Sequence, residues 1–229
     1  MQEILIVDDE RILREGLKSR LVGEGYSVRT ARDGEEALRK IAERRPALVL
    51  LDVMMPKMNG FLCCEKIREA DALLPVIFLT AKVTEADQVR GIGLGADDYV
   101  SKEAGDAVLL ARISRAIRRT QEHAEVRSAV GGAELRLGRV TVDLNGLTVC
   151  EGKTEISRLT RTEADVLRLF AARRGEFLVI DDIITELRGN GFACEDQMVY
   201  SHIGNLRRKL GSASKRIVNR HGVGYGLVD

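Results

Sequence analysis

Five side chains in the first half of the sequence have types and placement that could do chemistry together: Asp8, Asp9, Asp52, Thr80 and Lys102. Each ends or follows a short apolar run that reads as a strand. Residues 45–60, RPALVLLDVMMPKMNG, show the pattern most clearly. Leu48 to Leu51 is a continuous apolar run of the kind buried on both faces of a sheet, and Pro56 and Gly60 punctuate the loop behind Asp52. Three carboxylates crowded at one sheet edge repel, raising one another's pKa unless a cation neutralises them. Oxygen ligands that leave room for waters and phosphate oxygens suit Mg2+. With that charge balanced, Asp52 stays ionised and can attack phosphorus, while Lys102 offsets charge on the equatorial oxygens. The product would be an acyl phosphate, to which the Thr80 hydroxyl can donate a hydrogen bond. Any one acid at a strand end is more often a helix cap, and any one lysine a solvated charge. Five groups converging on strand ends are poorly explained that way.

Convergence requires that the strands lie parallel in one sheet. Strands are expected at Glu3–Val7, Ser27–Ala31, Leu48–Asp52, Val76–Thr80 and Asp98–Ser101. Between and after them, helical patterns run through Leu13, Leu17 and Leu21, then over Glu35–Arg44, Phe61–Ala70, Glu85–Leu94 and Asp106–Arg119. Five βα units predict a doubly wound five-stranded parallel sheet with helices on both faces. Ligands of such a sheet bind where the strands' carboxyl ends splay apart. Asp33 ahead of Glu35 and Glu36, and Thr84 ahead of Glu85 and Asp87, read as N-caps.

At 229 residues, 45% hydrophobic and 31% charged, the chain has the composition of an ordinary globular protein, long enough for two modest domains. Met1 leads straight into a strand pattern with no basic region or long apolar run, which predicts a cytoplasmic protein with no membrane partner. Cys63, Cys64, Cys150 and Cys194 have neither zinc-site nor disulfide-scaffold spacing and read as reduced filler. After Arg119 the pattern breaks into TQEHAEVRSAVGGAE, which is expected to be a linker over 120–132 between domains at 1–119 and 133–229. Beyond it, short alternating runs separated by Gly138, Asn145-Gly146 and Gly152-Lys153 predict a small antiparallel sheet. Helices opening at Thr162 and Asp181, a third from about Asp196 to Leu210, and a terminal hairpin complete an α+β domain. The net charge is only +1, yet positions 197–228 hold Arg207, Arg208, Lys209, Lys215, Arg216 and Arg220 and no acid. Such a face neutralises nucleic-acid phosphates. On the third helix Met198, Val199, Ile203, Leu206 and Leu210 fall inward, leaving Tyr200, Ser201, Asn205, Arg208 and Lys209 outward.

The pair at 8–9, D-x-M-M-P-x-x-x-G at 52–60, Thr80-Ala81 and G-A-D-D-Y-V-x-K at 95–102 closely resemble the receiver domain of two-component response regulators. That resemblance implies a flavodoxin-like fold and Asp52 as phosphoacceptor for a sensor histidine kinase. It also implies an Mg2+ site of Asp8, Asp9, Asp52 and the Met54 carbonyl, phosphoryl contacts from Thr80 and Lys102, and Tyr99 as switch aromatic. The second half, with L-T-x-T-E at 159–163, V-x-x-H-I-x-x-L-R-R-K-L at 199–210 and G-V-G-Y at 222–225, resembles the winged-helix domain of the OmpR/PhoB subfamily. By that resemblance residues 196–210 are the recognition helix and Arg220 to Tyr225 the wing of a transcription regulator that acts with RNA polymerase on promoter DNA. Tyr200, Ser201 and Asn205 would read bases. Arg207, Arg208, Lys209 and Arg220 would hold phosphates, and His202 would be a phosphate or core contact. Arg90, Asp97, Asp98, Arg112 and Arg115 would lie in a two-fold dimer, with Asp98–Arg112 the favoured pair. Val108 stands where a glutamate usually answers Arg90.

Three departures carry weight. Glu103 and Ala104 follow Lys102 where the family has proline and an aromatic, so a trans peptide and a differently shaped loop are expected, on which the reach of Lys102 depends. Asn205 and Gly226 stand where arginine is usual. An alternative that follows is a regulator binding DNA independently of phosphorylation. An Mg2+-dependent phosphatase working through an aspartyl phosphate is the enzyme alternative, and the absence of D-x-D-x-T at Asp52 speaks against it.

Overall fold

The computed structural model describes residues 2–81, 91, 94–129, 134–189 and 196–229, which form two compact units, Met1–Arg118 and Arg119–Asp229. The first unit is a five-stranded parallel sheet of order β2-β1-β3-β4-β5, from β1 (Glu3–Val7), β2 (Ser27–Ala31), β3 (Leu48–Asp52), β4 (Val76–Thr80) and β5 (Asp98–Ser101). Every residue of β3 and of β4 is buried, which is why both read as unbroken apolar runs.

Helices cover both faces. On one, Leu17 and Leu21 of α1 (Arg11–Gly23) and Leu109, Ile113 and Ile117 of α4 (Asp106–Ala129) pack on Ile4, Ile6, Leu48, Leu50 and Ile77. On the other, Ala37 of α2 (Gly34–Glu43) and Phe61, Cys63, Cys64 and Ile67 of α3 (Gly60–Ala70) pack on Leu5, Val7, Val49, Leu51 and Phe78. Each such large side chain withdrawn from water contributes about 1.5–3 kcal/mol. Burial drives the Cys63 and Cys64 thiols up to about 12 and about 11, so both are inert packing groups. Asp33 caps α2 by accepting from the Glu36 N–H, as expected, and Asn59 caps α3 through the Leu62 N–H. The expected Glu85–Leu94 helix and its Thr84 cap lie almost wholly outside the described residues.

Helix α4 runs ten residues past Arg119, to Ala129, so most of the segment expected to be a linker is helical. TQEHAEVRSA contains no glycine or proline and nothing else that stops a helix, and Gly131-Gly132 is the first breaker.

The second unit opens with an antiparallel sheet of β6 (Glu134–Leu137), β7 (Val140–Asp143), β8 (Thr148–Glu151) and β9 (Thr154–Arg158). Helices α5 (Arg161–Ala172), α6 (Ile180–Gly189) and α7 (Asp196–Lys209) follow, then a 3-10 turn at Gly211–Arg216 and a hairpin of β10 (Ile217–Arg220) and β11 (Gly224–Leu227). The first of these helices starts one residue earlier than expected because Thr160 and Glu163 form a reciprocal capping box. The hairpin lies tight on the segment before α6. A Cβ on Gly224 would stand 2.0 Å from the Leu178 carbonyl oxygen, and one on Gly226 2.2 Å from that of Glu176. No arginine fits at 226, and the departure noted there has a packing cause.

Candidate functional site

In this strand order β1 and β3 are neighbours whose connections leave for opposite faces of the sheet, and their carboxyl ends flank the crevice. Asp8 and Asp9 follow β1 and Asp52 ends β3, and one carboxylate oxygen from each lies within 4.8 Å of the others. Asp8 and Asp52 are buried and Asp9 is exposed. Thr80, 3% exposed, ends the next strand, in register with Ser101 of β5.

Lys102 reaches into this cluster. Its Nζ stands 2.8 Å from Asp8 Oδ2 and 2.9 Å from Asp52 Oδ2, with Glu10 Oε1 at 3.8 Å. The departure at Glu103 and Ala104 does not draw Lys102 away from the acids. The peptide bond after it is trans, as expected, but the turn is closed by donors that proline lacks or that its neighbours supply. The Glu103 N–H donates to Ser101 Oγ at 3.1 Å, the Ala104 N–H to the Ser101 carbonyl at 3.0 Å, and the Lys102 N–H to the Thr80 carbonyl at 2.7 Å. Glu103 itself is exposed.

Burial pushes the Asp52 carboxyl above the ordinary range, against the pull of Lys102 and with a further push from Asp8. Burial opposes the charge of Lys102 as well, but its hydrogen bonds to Asp8 and Asp52 outweigh that and hold its pKa above the usual lysine value. The arrangement is a set of hard oxygen donors whose repulsion is offset by one ammonium group. That donor chemistry fits a small divalent cation.

Three contributors escaped the sequence argument. Arg14 Nη1 donates to the Asp8 carbonyl at 2.5 Å, and the Glu10 N–H donates to Asp8 Oδ1 at 2.8 Å. Lys57, with a left-handed φ of 63°, places Nζ 2.9 Å from Asp33 Oδ2 and so ties the β3–α3 loop to the start of α2. A lysine five residues beyond Asp52 was legible; its partner was not. Met54 is 76% exposed, and its N–H donates to Asp52 Oδ1 at 3.3 Å. On the far side of Gly60, a Cβ would fall 2.1 Å from the Asp52 carbonyl oxygen, which explains the glycine there. Tyr99 is 6% exposed and tilts against Phe78 at 5.5 Å between ring centroids.

The residues expected in a two-fold interface are engaged within their own chain. Asp98, 6% exposed, accepts from Arg112 at 2.5 Å, and Asp97 accepts from Arg68 at 2.7 Å and from the Val76 N–H at 2.9 Å. Burial raises the Asp98 carboxyl to about 6 in spite of Arg112 and, more distantly, Arg115. Arg90 lies outside the described residues.

On α7 the expected apolar set is buried, but so are residues expected to face outward. Asn205 is 6% exposed and its Oδ1 accepts from Arg208 at 2.8 Å; His202 is fully buried and belongs to the core. Lys209 Nζ lies 2.7 Å from Glu163 Oε2, itself fully buried, and so is not available to phosphate. Arg207 is spent on the Ile217 carbonyl, at 2.9 and 2.7 Å, and on the Tyr225 ring at 5.5 Å. The reason is that α7 packs against α5, α6 and β9, which leaves a narrower outward face than one apolar stripe would. Tyr200, half exposed beside Tyr225, the partly exposed Ser201 and the exposed Arg208 remain on that face, and Arg220 is exposed over the Phe177 ring at 4.1 Å.

Comparison with known proteins agrees with both halves. Residues 4–114 match the response regulator receiver domain, and residues 153–227 match the C-terminal domain of transcriptional regulatory proteins. Response regulator MprA of Mycobacterium tuberculosis is 38% identical over 227 residues, covering 98% of this chain and 96% of that one. Among solved structures, a RitR C128S mutant superposes over 99% of each chain with a TM-score of 0.79 at 24% identity, a likeness of fold. DrrB of Thermotoga maritima, an OmpR/PhoB homologue, covers the full length of both chains with a TM-score of 0.50 at 26% identity. The acidic sheet edge and the winged-helix unit thus occur here in the order, and over the length, of a full regulator: the chain belongs to the OmpR/PhoB-type response regulators and is a two-component transcriptional regulator.

Proposed function

We propose that Asp52 is the phosphoacceptor and that its modification governs promoter binding by α7. The observation that carries this is the meeting of Asp52 with Asp8, Asp9 and Lys102 at one sheet edge. In the transfer, an Asp52 carboxylate oxygen forms the new O–P bond while the P–N bond of a kinase phosphohistidine breaks, its electron pair leaving with the imidazole. Lys102, already 2.9 Å from Asp52, offsets negative charge on the transferred group. Asp8, Asp9, Asp52 and the Met54 carbonyl would hold Mg2+, which when bound supplies further neutralisation of phosphoryl charge. Thr80 donates its hydroxyl proton to a phosphoryl oxygen, and Tyr99 follows it as the switch aromatic. The reach of Lys102 supports this reading over the alternative of DNA binding independent of phosphorylation.

Modification favours a homodimer, whose two winged-helix units would occupy half-sites roughly 10–11 base pairs apart and act there on RNA polymerase. Acetyl phosphate with Mg2+ should label the wild-type chain and not Asp52→Asn, and a chelator should abolish labelling. Full labelling of Asp52→Asn, or labelling indifferent to chelator, contradicts the assignment.

A further inference from the structure

Helix α7 carries a residue whose presence nothing among the described residues requires. Gly204 lies in the helix interior, has an ordinary helical φ and is exposed. A Cβ built on it would meet nothing within 4 Å among the described residues. Glycine is the costliest residue in a helix interior after proline, because it gives up the most backbone freedom. A fold tolerates that cost where the backbone turns left-handed or where a neighbour leaves no room for a methyl group. Gly60, Gly224 and Gly226 have the second reason, with backbone oxygens 2.0 to 2.2 Å from a would-be Cβ. Gly204 has neither. What remains is a surface outside the chain that approaches the helix closely at this point.

The neighbourhood says what that surface is. Gly204 lies four residues from Tyr200 and four from Arg208, so the three share one stripe of the helix. That stripe is the outward one: Tyr200 is 44% exposed and Arg208 is exposed, whereas His202 and Asn205 are turned into the fold. It runs on into an open depression of about 580 Å3 walled by Arg207, Arg208, Gly211, Ser214, Lys215 and Ile217. Among the described residues neither Arg208 nor Lys215 has a carboxylate partner. An aromatic ring, a bare backbone and a cationic depression in line fit a nucleic-acid duplex, with base edges under the helix and a backbone phosphate at its end.

We propose that Gly204 is a specificity-determining position at which the α7 backbone meets base edges in the major groove, its missing side chain setting how deeply the helix seats, while Arg208 and Lys215 hold a backbone phosphate. This rests on the duplex-binding function proposed above, and the test separates the two. The full chain is used with duplexes that the wild type enriches from a random-sequence pool, and with scrambled duplexes of the same composition. Gly204→Ala should raise the thermal midpoint of the free protein, by about 5 °C. It should weaken the enriched duplex at least about tenfold and change the scrambled duplex by less than about twofold, so that their ratio falls. Gly204→Gln should lose more, in proportion to side-chain size. Lys215→Ala should weaken both duplexes and leave the ratio unchanged. A Gly204→Ala chain that binds the enriched duplex as tightly as wild type, that loses both duplexes alike, or that is less stable than wild type overturns the proposal. A wild-type chain that enriches no duplex overturns the duplex-binding function itself, and the proposal with it.

Discussion

Lys102 shows how much of the acidic site is held in place before any modification. Asp8 is 1% exposed and Asp52 3% exposed, and the ammonium group between them is what makes two neighbouring buried carboxylates tolerable. Lys102→Ala should therefore cost stability, about 3–5 kcal/mol, as expected for a buried charge stripped of its partner. Mg2+ should restore more stability to that variant than to the wild type, because the lysine and the ion answer the same charges; equal restoration in denaturant titrations argues against the shared role. At Asp98 the balance runs the other way. With its pKa raised from the ordinary 3.8 to about 6, the folded chain keeps a proton that the unfolded chain has already lost. Stability from this group is thus fully present below about pH 4 and lost as pH rises through 6. Asp98→Asn, which can still accept from Arg112, should flatten that part of the stability profile, and an unchanged slope between pH 4 and 6 would count against it. The acids of the site were legible because strand ends are easy to place. That Asp98 meets Arg112 within its own chain, and that Lys209 meets Glu163, was not, since an ion pair's choice between neighbour, solvent and second molecule depends on burial that spacing does not report.

Among the elements, the loop between β3 and α3 is held under tension. Lys57 adopts a left-handed φ of 63°, which costs roughly 1–2 kcal/mol for a residue with a Cβ. Its reward is Asp33, whose carboxyl is held below the usual range first by the Glu36 N–H and then by Lys57. The ion pair is exposed on the lysine side, so it offsets only about 0–1 kcal/mol. Lys57→Gly should accordingly be close to neutral, within about 1 kcal/mol, whereas Asp33→Ala loses the α2 cap as well and should cost about 1–2 kcal/mol. The charge-dependent part of the Asp33 contribution is present above pH 3.8 and is lost as pH falls through its lower folded value, so in acid Asp33→Ala should approach wild type while Lys57→Gly, relieved of the left-handed φ, should become the more stable of the three. Denaturation midpoints at pH 7 and pH 3 check both statements. The existence and order of these elements could be foreseen from hydrophobic period and caps. The face of α7 could not, because three packing partners bury Asn205 and His202 where one would have left them in water. Nor could the length of α4, since a polar run without glycine or proline suits helix and linker equally well.

At the scale of the molecule, division into a receiver and a winged-helix unit was readable from the change of pattern alone, from alternating strands and helices to closely spaced hairpins. Assembly was not. Asp97 and Asp98 already have cations in their own chain, in Arg68 and Arg112, and Val108, 47% exposed, offers no charge. A dimer through this face must exchange an internal ion pair for an external one, so only the difference stabilises it. The unmodified protein should sediment as a monomer at micromolar concentration, and a tight unmodified dimer in ultracentrifugation contradicts this. The contact at Gly60 sets where the molecule can yield. With the first turn of α3 lying directly on the Asp52 carbonyl, strand and helix have no slack between them, like the fixed jaw of a vice. If Asp52 takes the phosphoryl group as proposed, the added bulk would press against a wall that has no room to retreat, and the displacement would fall on the side of Thr80 and Lys102.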